Sequence, residues 1–469
     1  GMPRPYKKYN ITMKKIISLF FITTILLSSC SAETITTPTA ENAETQSAEK
    51  TSTPESGSIS TNQLEVNEEA LNGLQINVWT PWHEVEQSLF EALVKQFNNE
   101  NQWGIVVNVQ SQVNFSNLYE TTTASLPTDQ RPDLVIALPE HAHEWFDNGV
   151  AIDLNDYVND ATYGLDTEDF YDVFLNQDIS GDARVGMPAQ RTAQFLLWNE
   201  TWADELGFDS APTSIDDFEE QSCEAHDSKL KDEFAENDSL GGWLVNTESM
   251  TAYSWMLAFG GGALEENNYR FMKPENIDTF KFLRELSEKN CAWQSASDPI
   301  LSFANREALF ITTSMEEFTS VARVFASVGS RDVWKVLPFP NDDEGVMAVY
   351  GSSYVILKSN DDSQIATWLF IKWLLDNEQD KRFVETTHLF PLRSSTLDLL
   401  SDYERTHPQW KQAVDLIPQG ALQPQLASWR TIKIMLGDGF AHMYRVNVPS
   451  GQVAAILAQM ENTAKELSE

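Results

Sequence analysis

The sequence predicts an α/β fold divided into two lobes. Apolar strands alternate with amphipathic helices along the chain, as in parallel sheets whose two faces are covered by helices. Residues 134–137 are continuously apolar, which is typical of a strand buried on both faces. About 400 residues follow position 73, and 42% of the whole chain is hydrophobic. A chain of that length exceeds what one hydrophobic core usually holds, so we expect two lobes.

The individual elements follow from these patterns in chain order. Alternating apolar residues predict strands over 74–80 and 105–109, and helical spacing of apolar residues predicts a helix between them. Residues 213–216 have the spacing of a capping box, which marks the start of a helix. The remaining predicted elements are strands over 133–137, 151–154 and 193–198, a helix through Trp145 that stops at Gly149, and helices over 274–289, 364–376, 432–443 and 451–467.

The N-terminal segment has the order of a bacterial lipoprotein leader. Five basic residues precede an apolar run over 16–27, which is too short to span a membrane stably. The run ends at Leu27-Ser28-Ser29-Cys30, where small residues precede a cysteine. We therefore expect residues 1–29 to be a signal peptide and Cys30 to be the lipidation site. The alternative is an uncleaved anchor helix.

The segment that follows differs sharply in composition. Residues 30–73 are rich in Thr, Ser and Glu and have almost no apolar side chains to bury, so they are expected to form a disordered tether. Together with the leader, this predicts a protein of the cell envelope. It would be anchored by lipid to the outer face of the cytoplasmic membrane or lie in the periplasm.

Charge and cysteine content limit the choice of partners. The formal net charge is −38, so nucleic acid is not expected to bind. Apart from Cys30, the chain has Cys223 and Cys291. In an oxidising compartment these form a disulfide or remain two separate buried thiols, and the sequence leaves both open.

The order of short motifs resembles that of the family 1 extracellular solute-binding proteins. These are the sugar-binding components of ABC importers, related to maltose-binding protein. The resemblance covers nearly all of residues 74–469. It is carried by Ile76-Asn77-Val78-Trp79, Arg131-Pro132-Asp133-Leu134, Gly149-Val150-Ala151-Ile152-Asp153-Leu154, Gly186-Met187-Pro188, Leu196-Leu197-Trp198-Asn199, Leu206-Gly207-Phe208, Leu337-Pro338-Phe339-Pro340 and Pro391-Leu392-Arg393.

The resemblance implies a two-lobe, periplasmic-binding-protein-like class II fold with hinge crossovers near 191–194 and 349–353. The N-terminal lobe would comprise 74–190 and 354–395, and the C-terminal lobe 195–348 and 396–469. Such a protein is a monomer without catalytic activity or cofactor. It binds a small-molecule carbohydrate, which an oligosaccharide fits best, and its partners are ABC transporter permease subunits.

Candidate ligand-binding residues follow from strand ends, from the hinges and from the resemblance. A sugar offers an apolar face and a hydroxyl edge, so its site needs aromatic platforms beside carboxylates, amides and guanidinium groups. Loops after the carboxyl ends of parallel strands are where open sheets place ligands. On these grounds the candidates are Trp82, His83, Glu86, Glu140, Gln190, Arg191, Glu248, Trp255, Ser314, Tyr350, Ser352, Trp429 and Arg430.

Three other functions compete with carbohydrate capture. Residues 140–144 contain two histidines and two glutamates, a dense set of metal ligands, although helical geometry would make the histidines diverge. A secreted glycoside hydrolase needs only two suitably spaced carboxylates, which 70 acidic residues could supply. An adhesive surface protein would show no closure on a small molecule.

Overall fold

A mixed β-sheet forms the centre of the computed structural model, which describes residues 64–294, 296–341 and 343–468. The predicted leader and tether lie outside the described residues. The strands are β1 (Gln75–Thr80), β2 (Val106–Ser111), β3 (Leu134–Ala137), β4 (Ile179–Ser180), β5 (Ala183–Arg184), β6 (Met187–Asn199), β7 (Trp243–Leu244), β8 (Leu264–Glu265), β9 (Asn268–Tyr269), β10 (Ala292–Trp293), β11 (Phe310–Ser314), β12 (Trp334–Leu337), β13 (Met347–Ile356) and β14 (Gly420–Ala421).

Helices surround this sheet. They are α1 (Glu68–Leu71), α2 (Glu84–Glu100), α3 (Phe115–Ser125), α4 (Pro139–Asp147), α5 (Asn155–Val158), α6 (Asp172–Leu175), α7 (Glu200–Leu206), α8 (Ile215–Leu230), α9 (Ser249–Ala258), α10 (Pro274–Glu288), α11 (Pro299–Ala304), α12 (Phe318–Val328), α13 (Asp361–Leu374), α14 (Asn377–Thr387), α15 (Ser401–Thr406), α16 (Pro408–Asp415), α17 (Trp429–Met443) and α18 (Val453–Ser468). Short 3-10 turns lie between several elements, and one of them, Met315–Glu317, lies between β11 and α12.

Two long strands join the two ends of the sheet. The strand order is β10-β7-β11-β6-β13-β3-β1-β2, with β12 added to β6 and β14 added to β13. The outer strands run parallel, whereas β6 and β13 pair with each other and with their neighbours β11 and β3 in antiparallel fashion. The sheet is thus mixed, and not parallel throughout as the alternation of elements suggested. The two antiparallel strands are the segments that pass from one end of the sheet to the other.

The register places the two predicted hinge segments side by side. Tyr350 pairs with Thr192, and Ser352 pairs with Gln190. Beside these two segments, β14 pairs in parallel with the start of β13. At the centre of this region Gly351 has a φ of +150°, and a Cβ there would lie 2.1 Å from the carbonyl oxygen of Gln190. Only glycine fits this close approach of two backbones.

Most predicted elements are present, with informative differences. Ser214 caps α8 by accepting a hydrogen bond from the backbone N–H of Asp217, and the Asp217 carboxylate accepts one from the backbone N–H of Ser214, which completes the predicted capping box. The predicted strand over 151–154 is reduced to a single bridge between Ala151 and Leu357. Strand β6 begins at Met187, six residues before its predicted start. Its first half was not predicted because polar side chains there interrupt the apolar pattern.

Packing and one covalent link complete the framework. Buried apolar side chains form three clusters, of which one combines α17 and α18 with α9 and α10, and another combines α4 with β3 and β13. Cys223 on α8 and Cys291 before β10 are joined by a disulfide. No helix among the described residues has the length and apolarity that crossing a membrane would require.

Candidate ligand-binding site

A row of polar side chains from β6 lies on one face of the sheet where the hinge strands meet. Gln190, Thr192 and Gln194 are two residues apart, so they point to the same side of the strand. All three are at least nine-tenths buried. An extended strand places no apolar side chain between them on this face, so they mark a polar surface inside an otherwise apolar sheet.

Neighbouring strands extend this polar surface. Directly paired residues of antiparallel strands place their side chains on the same face. Ser314 of β11 is paired with Gln194, and Tyr350 and Ser352 of β13 are paired with Thr192 and Gln190. We call these six residues the polar floor: Gln190, Thr192, Gln194, Ser314, Tyr350 and Ser352. Four of the six are sequence-predicted site residues.

Three carboxylates stand around the polar floor, each supplied by a different element. Glu86 belongs to the first turn of α2, Glu248 caps the start of α9, and Glu316 lies in the turn Met315–Glu317. Glu248 and Glu316 are exposed to solvent and Glu86 is half-buried. We call Glu86, Glu248 and Glu316 the carboxylate cluster.

Hydrogen bonds tie the carboxylate cluster to the floor. Gln194 donates through Nε2 to Glu248 Oε2 at 2.9 Å, and Thr192 donates through Oγ1 to Glu316 Oε2 at 3.3 Å. Gln190 Oε1 accepts a hydrogen bond of 2.9 Å from the indole nitrogen of Trp82. The row on β6 thus connects side chains from both ends of the sheet.

The electrostatics of the site confirm that these groups are close together. Burial raises the pKa of Glu86, and the nearby carboxylate of Glu316 raises it further, against the opposing effects of Gln190 and His83. Burial also raises the pKa of Tyr350 well above its ordinary value, and the charges of Glu316 and Glu248 act in the same direction. The floor therefore lies in a strongly negative field.

A second group of predicted residues forms a contact between α4 and α17. Glu140 is 1% exposed and accepts a hydrogen bond from the ammonium group of Lys433. Burial alone would raise the pKa of Glu140, but the charge of Lys433 holds it below its ordinary value. This ion pair joins α4, which packs with β3, to α17, which packs on α9.

Arg430 adds a second link in the same place. Its Nε lies 3.5 Å from Glu144 Oε2, and its guanidinium carbon lies 4.3 Å from the centre of the Tyr119 ring. Tyr119 donates a hydrogen bond of 2.6 Å from its hydroxyl to Glu144 Oε1. We call Glu140, Glu144, Arg430 and Lys433 the α4–α17 clasp.

The predicted aromatic residues are packed inside the protein. Trp429 is 0% exposed, stacks on Tyr269 and donates a 2.8 Å hydrogen bond to Gln423. Trp255 is also 0% exposed, among aromatic side chains of the same core. Trp82 is 3% exposed and lies edge-on against Phe90. In this structure none of these three rings offers an open face on which a sugar could stack.

Arg191 links β6 to β13 and to the turn that contains Asp178. It is fully buried and forms an ion pair of 2.7 Å with Asp178. Its remaining N–H groups donate to the carbonyl oxygens of Phe174, Gln190 and Ser352 and to the Ser353 hydroxyl. Because protein groups use all of these donors, the predicted role of Arg191 in ligand binding does not match its position.

The histidines of the predicted metal cluster diverge. His141 packs beside Tyr119, with ring centres 4.7 Å apart, whereas His143 lines a separate cavity. That cavity has a volume of about 580 Å³, and its wall includes Asp147, Tyr253 and residues 422–426. Within the described ranges, no group of three or more His, Cys, Asp or Glu side chains is arranged to hold a metal ion.

Sequence reasoning missed several residues of the site. Thr192 and Gln194 could have been found from the two-residue spacing that starts at Gln190. Lys433 could have been found because it lies four positions after the predicted Trp429, and residues that far apart share one face of a helix such as α17. Glu316 follows the predicted Ser314 by two residues, but the turn that brings it back to the floor has no local signature.

Comparisons with known proteins identify the family. A profile of the bacterial extracellular solute-binding protein family matches residues 92–418. No curated protein sequence is significantly similar to the chain. Solved structures share the fold at low identity. The sugar-binding protein MalE from Xanthomonas citri is 18% identical, with a TM-score of 0.72 over 84% of this chain and 97% of that chain.

Two further structures are similar to the same extent. The cyclic alpha-maltosyl-1,6-maltose binding protein from Arthrobacter globiformis is 17% identical, with a TM-score of 0.69 over 83% of this chain and 98% of that chain. UgpB from Mycobacterium tuberculosis, solved with glycerophosphocholine, is 18% identical, with a TM-score of 0.68 over 84% and 98%. The fold is thus the two-lobe α/β fold of these binding proteins, and with the profile match the chain belongs to the bacterial extracellular solute-binding protein family.

Proposed function

We propose that the protein captures a carbohydrate between its two lobes and delivers it to the permease of an ABC importer. The observation that carries this proposal is the polar floor with its carboxylate cluster. Hydroxyl groups of a sugar need acceptors and donors held at fixed positions, and amides, hydroxyls and carboxylates supply both. The polar floor and the carboxylate cluster together offer nine such side chains within one region of the molecule.

The proposed lobes meet at this floor. We assign 74–190 and 354–395 to the N-terminal lobe and 195–348 and 396–469 to the C-terminal lobe, with crossovers in β6 and β13. Glu86 then comes from the first lobe, and Glu248 and Glu316 come from the second. A ligand that contacts both sides stabilises the closed arrangement over the open one.

The proposed site residues separate into three groups. His83, Glu86, Gln190, Glu248, Ser314, Tyr350 and Ser352 would form the ligand-binding surface, with Thr192, Gln194 and Glu316 added to it. Trp82 would hold Gln190 in place through its indole hydrogen bond. Glu140 and Arg430 would contribute through the α4–α17 clasp, which would link the two proposed lobes. Trp255 and Trp429 would support the wall of the C-terminal lobe from behind.

The cellular setting is also part of the proposal. Cys30 would carry the lipid, and residues 31–73 would act as the tether between membrane and binding domain. The protein would work as a monomer outside the cytoplasm and would release its sugar unchanged. This distinguishes it from a glycoside hydrolase, which would return a shortened sugar.

A thermal-shift screen of the purified protein tests the proposal. Mono- and oligosaccharides, polyols and divalent metals would be compared, because a ligand that binds only the native state raises the melting temperature. We expect at least one sugar class to raise it and to be recovered intact afterwards. Tyr350→Phe should weaken this shift by removing a floor hydroxyl, and Tyr163→Phe, far from the floor, should not.

The alternatives give different results in the same screen. A chelator-reversible shift with zinc and none with sugars would favour a metal-binding protein. Cleavage of the sugar during incubation would favour a hydrolase. No shift with any sugar or polyol would contradict the proposed function.

A further inference from the structure

We propose that the carbohydrate taken by this site carries positive charge, as an amine-bearing sugar does. The inference rests on the proposed function and narrows it to a chemical class. It starts from the carboxylate cluster, whose three side chains lack a compensating cation. Among the described residues, none of Glu86, Glu248 and Glu316 forms an ion pair with a lysine or arginine.

Three basic residues of the candidate site, Arg191, Arg430 and Lys433, are already paired with carboxylates. Arg191 lies in the adjoining hinge strand, but it is fully buried against Asp178. Lys433 of the α4–α17 clasp is paired with Glu140, and Arg430 with Glu144. The cluster therefore presents three carboxylates to a ligand that enters the cleft. The neighbouring His83 acts in the opposite direction, because its charge lowers the pKa of Glu86.

An unpartnered acceptor beside the cluster points independently to a ligand. Gln194 is 1% exposed, and its Nε2 donates to Glu248 and to Thr251. Its Oε1 has no hydrogen-bond partner among the described residues. Ser352 Oγ and Gln190 Nε2 of the floor, on side chains that are 1% and 8% exposed, also lack partners among the described residues, and both can donate to oxygen atoms of the same ligand.

Buried acceptors without a donor are costly, and a ligand that brings N–H groups would satisfy them. An ammonium group offers three donors and no acceptor, which matches an amide oxygen placed beside carboxylates. A neutral hydroxyl could satisfy the Gln194 oxygen as well, but it would leave the three charges of the cluster uncompensated. The combination of charge and acceptor geometry favours an amine.

The arrangement of the three carboxylates favours an organic cation over a metal ion. A bound metal needs ligands converging on one point within about 2.0–2.6 Å. No group of three or more acidic or other metal-ligating side chains in the described part of the chain meets that condition. The three carboxylates come instead from three separate elements around the floor.

The electrostatic state of the site agrees with this assignment. Burial and the charge of Glu316 both act to raise the pKa of Glu86, which reflects repulsion between the two carboxylates. A cation bound between them would remove that repulsion. The net charge of −38 would also attract a cationic solute toward the protein over a distance of about one Debye length.

Calorimetric titration with matched probes tests the inference. The probes are a glucosamine oligosaccharide, its fully N-acetylated counterpart, and spermidine as a cation that is not a sugar. We expect the glucosamine oligosaccharide to bind at least about 10-fold more tightly than the acetylated one. Glu248→Gln or Glu316→Gln should reduce that affinity by about 10- to 100-fold, the range for losing a charged hydrogen-bond acceptor.

Glu317→Gln is the matched control, because Glu317 is an exposed neighbour of Glu316 and forms no described contact with the floor. It should leave the affinity unchanged. Circular dichroism of each variant would verify that it folds, which we expect because Glu248 and Glu316 are exposed.

The outcomes separate the inference from the proposed function. Equal or tighter binding of the acetylated sugar would overturn the inference and leave carbohydrate capture standing. Binding of spermidine alone would support a cation site and contradict carbohydrate capture. Binding of none of the three probes would overturn the inference, and the broader sugar screen would then decide the proposed function.

Discussion

The ion pair between Glu140 and Lys433 yields a quantitative prediction. The substitution Lys433→Met keeps the length of the side chain and removes its charge. It leaves the Glu140 carboxylate, which is 1% exposed, without its partner, and the second oxygen of that carboxylate already lacks one among the described residues. Removing one member of a buried pair costs about 3–5 kcal/mol.

The lower end of that range applies here. Lys433 is 19% exposed on its own side, so water partly compensates the change. We therefore expect a loss of about 3 kcal/mol at pH 7. With an unfolding entropy of roughly 2.1 cal/mol/K per residue over about 400 residues, this corresponds to a drop in melting temperature of about 4 °C.

The loss should depend on pH with a definite sign. In the native protein the pKa of Glu140 is lowered, so the pair stabilises above the ordinary carboxyl pKa and this contribution disappears as pH falls. In the variant, burial without Lys433 raises the pKa of Glu140, so protonation at low pH relieves the cost. The difference between native protein and variant should shrink as pH falls through about 4.

Differential scanning calorimetry across pH measures this effect. Lys411→Met is the control, since Lys411 forms an exposed pair with Asp415 and should cost no more than about 1 kcal/mol. Glu140→Gln combined with Lys433→Met should recover part of the loss because no buried charge remains. A loss for Lys433→Met no larger than that for Lys411→Met, or one independent of pH, would refute the reasoning.

Three further predictions concern the framework. Replacing Cys223 and Cys291 by serine opens a link across 68 residues and should cost about 4 kcal/mol, seen as a lower urea midpoint that a reductant reproduces in the native protein. Asp169→Asn removes the charge and one of the two acceptor oxygens that residues 393–395 share, and it should cost about 1–3 kcal/mol at pH 7. Because hydrogen bonds lower the pKa of Asp169 despite its burial, that loss should fade below about pH 4 in pH-dependent melting. Gly351→Ala places a Cβ 2.1 Å from the backbone of the neighbouring strand, so it should lower the melting temperature by more than alanine at the open position Gly451, and equal effects would contradict the close packing of the hinge strands.

Local patterns were sufficient for much of the fold. The strand and helix at 74–100, the cap at Ser214 and the buried strand β3 follow from periodicity and capping, which are properties of short segments. The first half of β6 could not be predicted in this way. Its side chains are polar because they serve the floor and the hinge, so local hydrophobic patterning fails where the site is built.

The site was predictable in its outline and not in its detail. Residues next to strand ends and the predicted hinges, such as Glu86, Gln190 and Tyr350, could be assigned to one candidate site because the fold class brings those segments together. The burial of Trp429 depends on Tyr253 and Tyr269, which lie more than a hundred residues earlier in the chain. Arg191 is held in part by the carbonyl oxygen of Ser352, which lies 161 residues later. No local sequence signal carries that information.

A crystal structure of the protein soaked with the sugar that gives the largest thermal shift tests the central claim most directly. We expect electron density for the sugar against the polar floor, in contact with Glu86 from one side and with Glu248 or Glu316 from the other. Density in the cavity beside His143, or at a surface touching only one lobe, would contradict it.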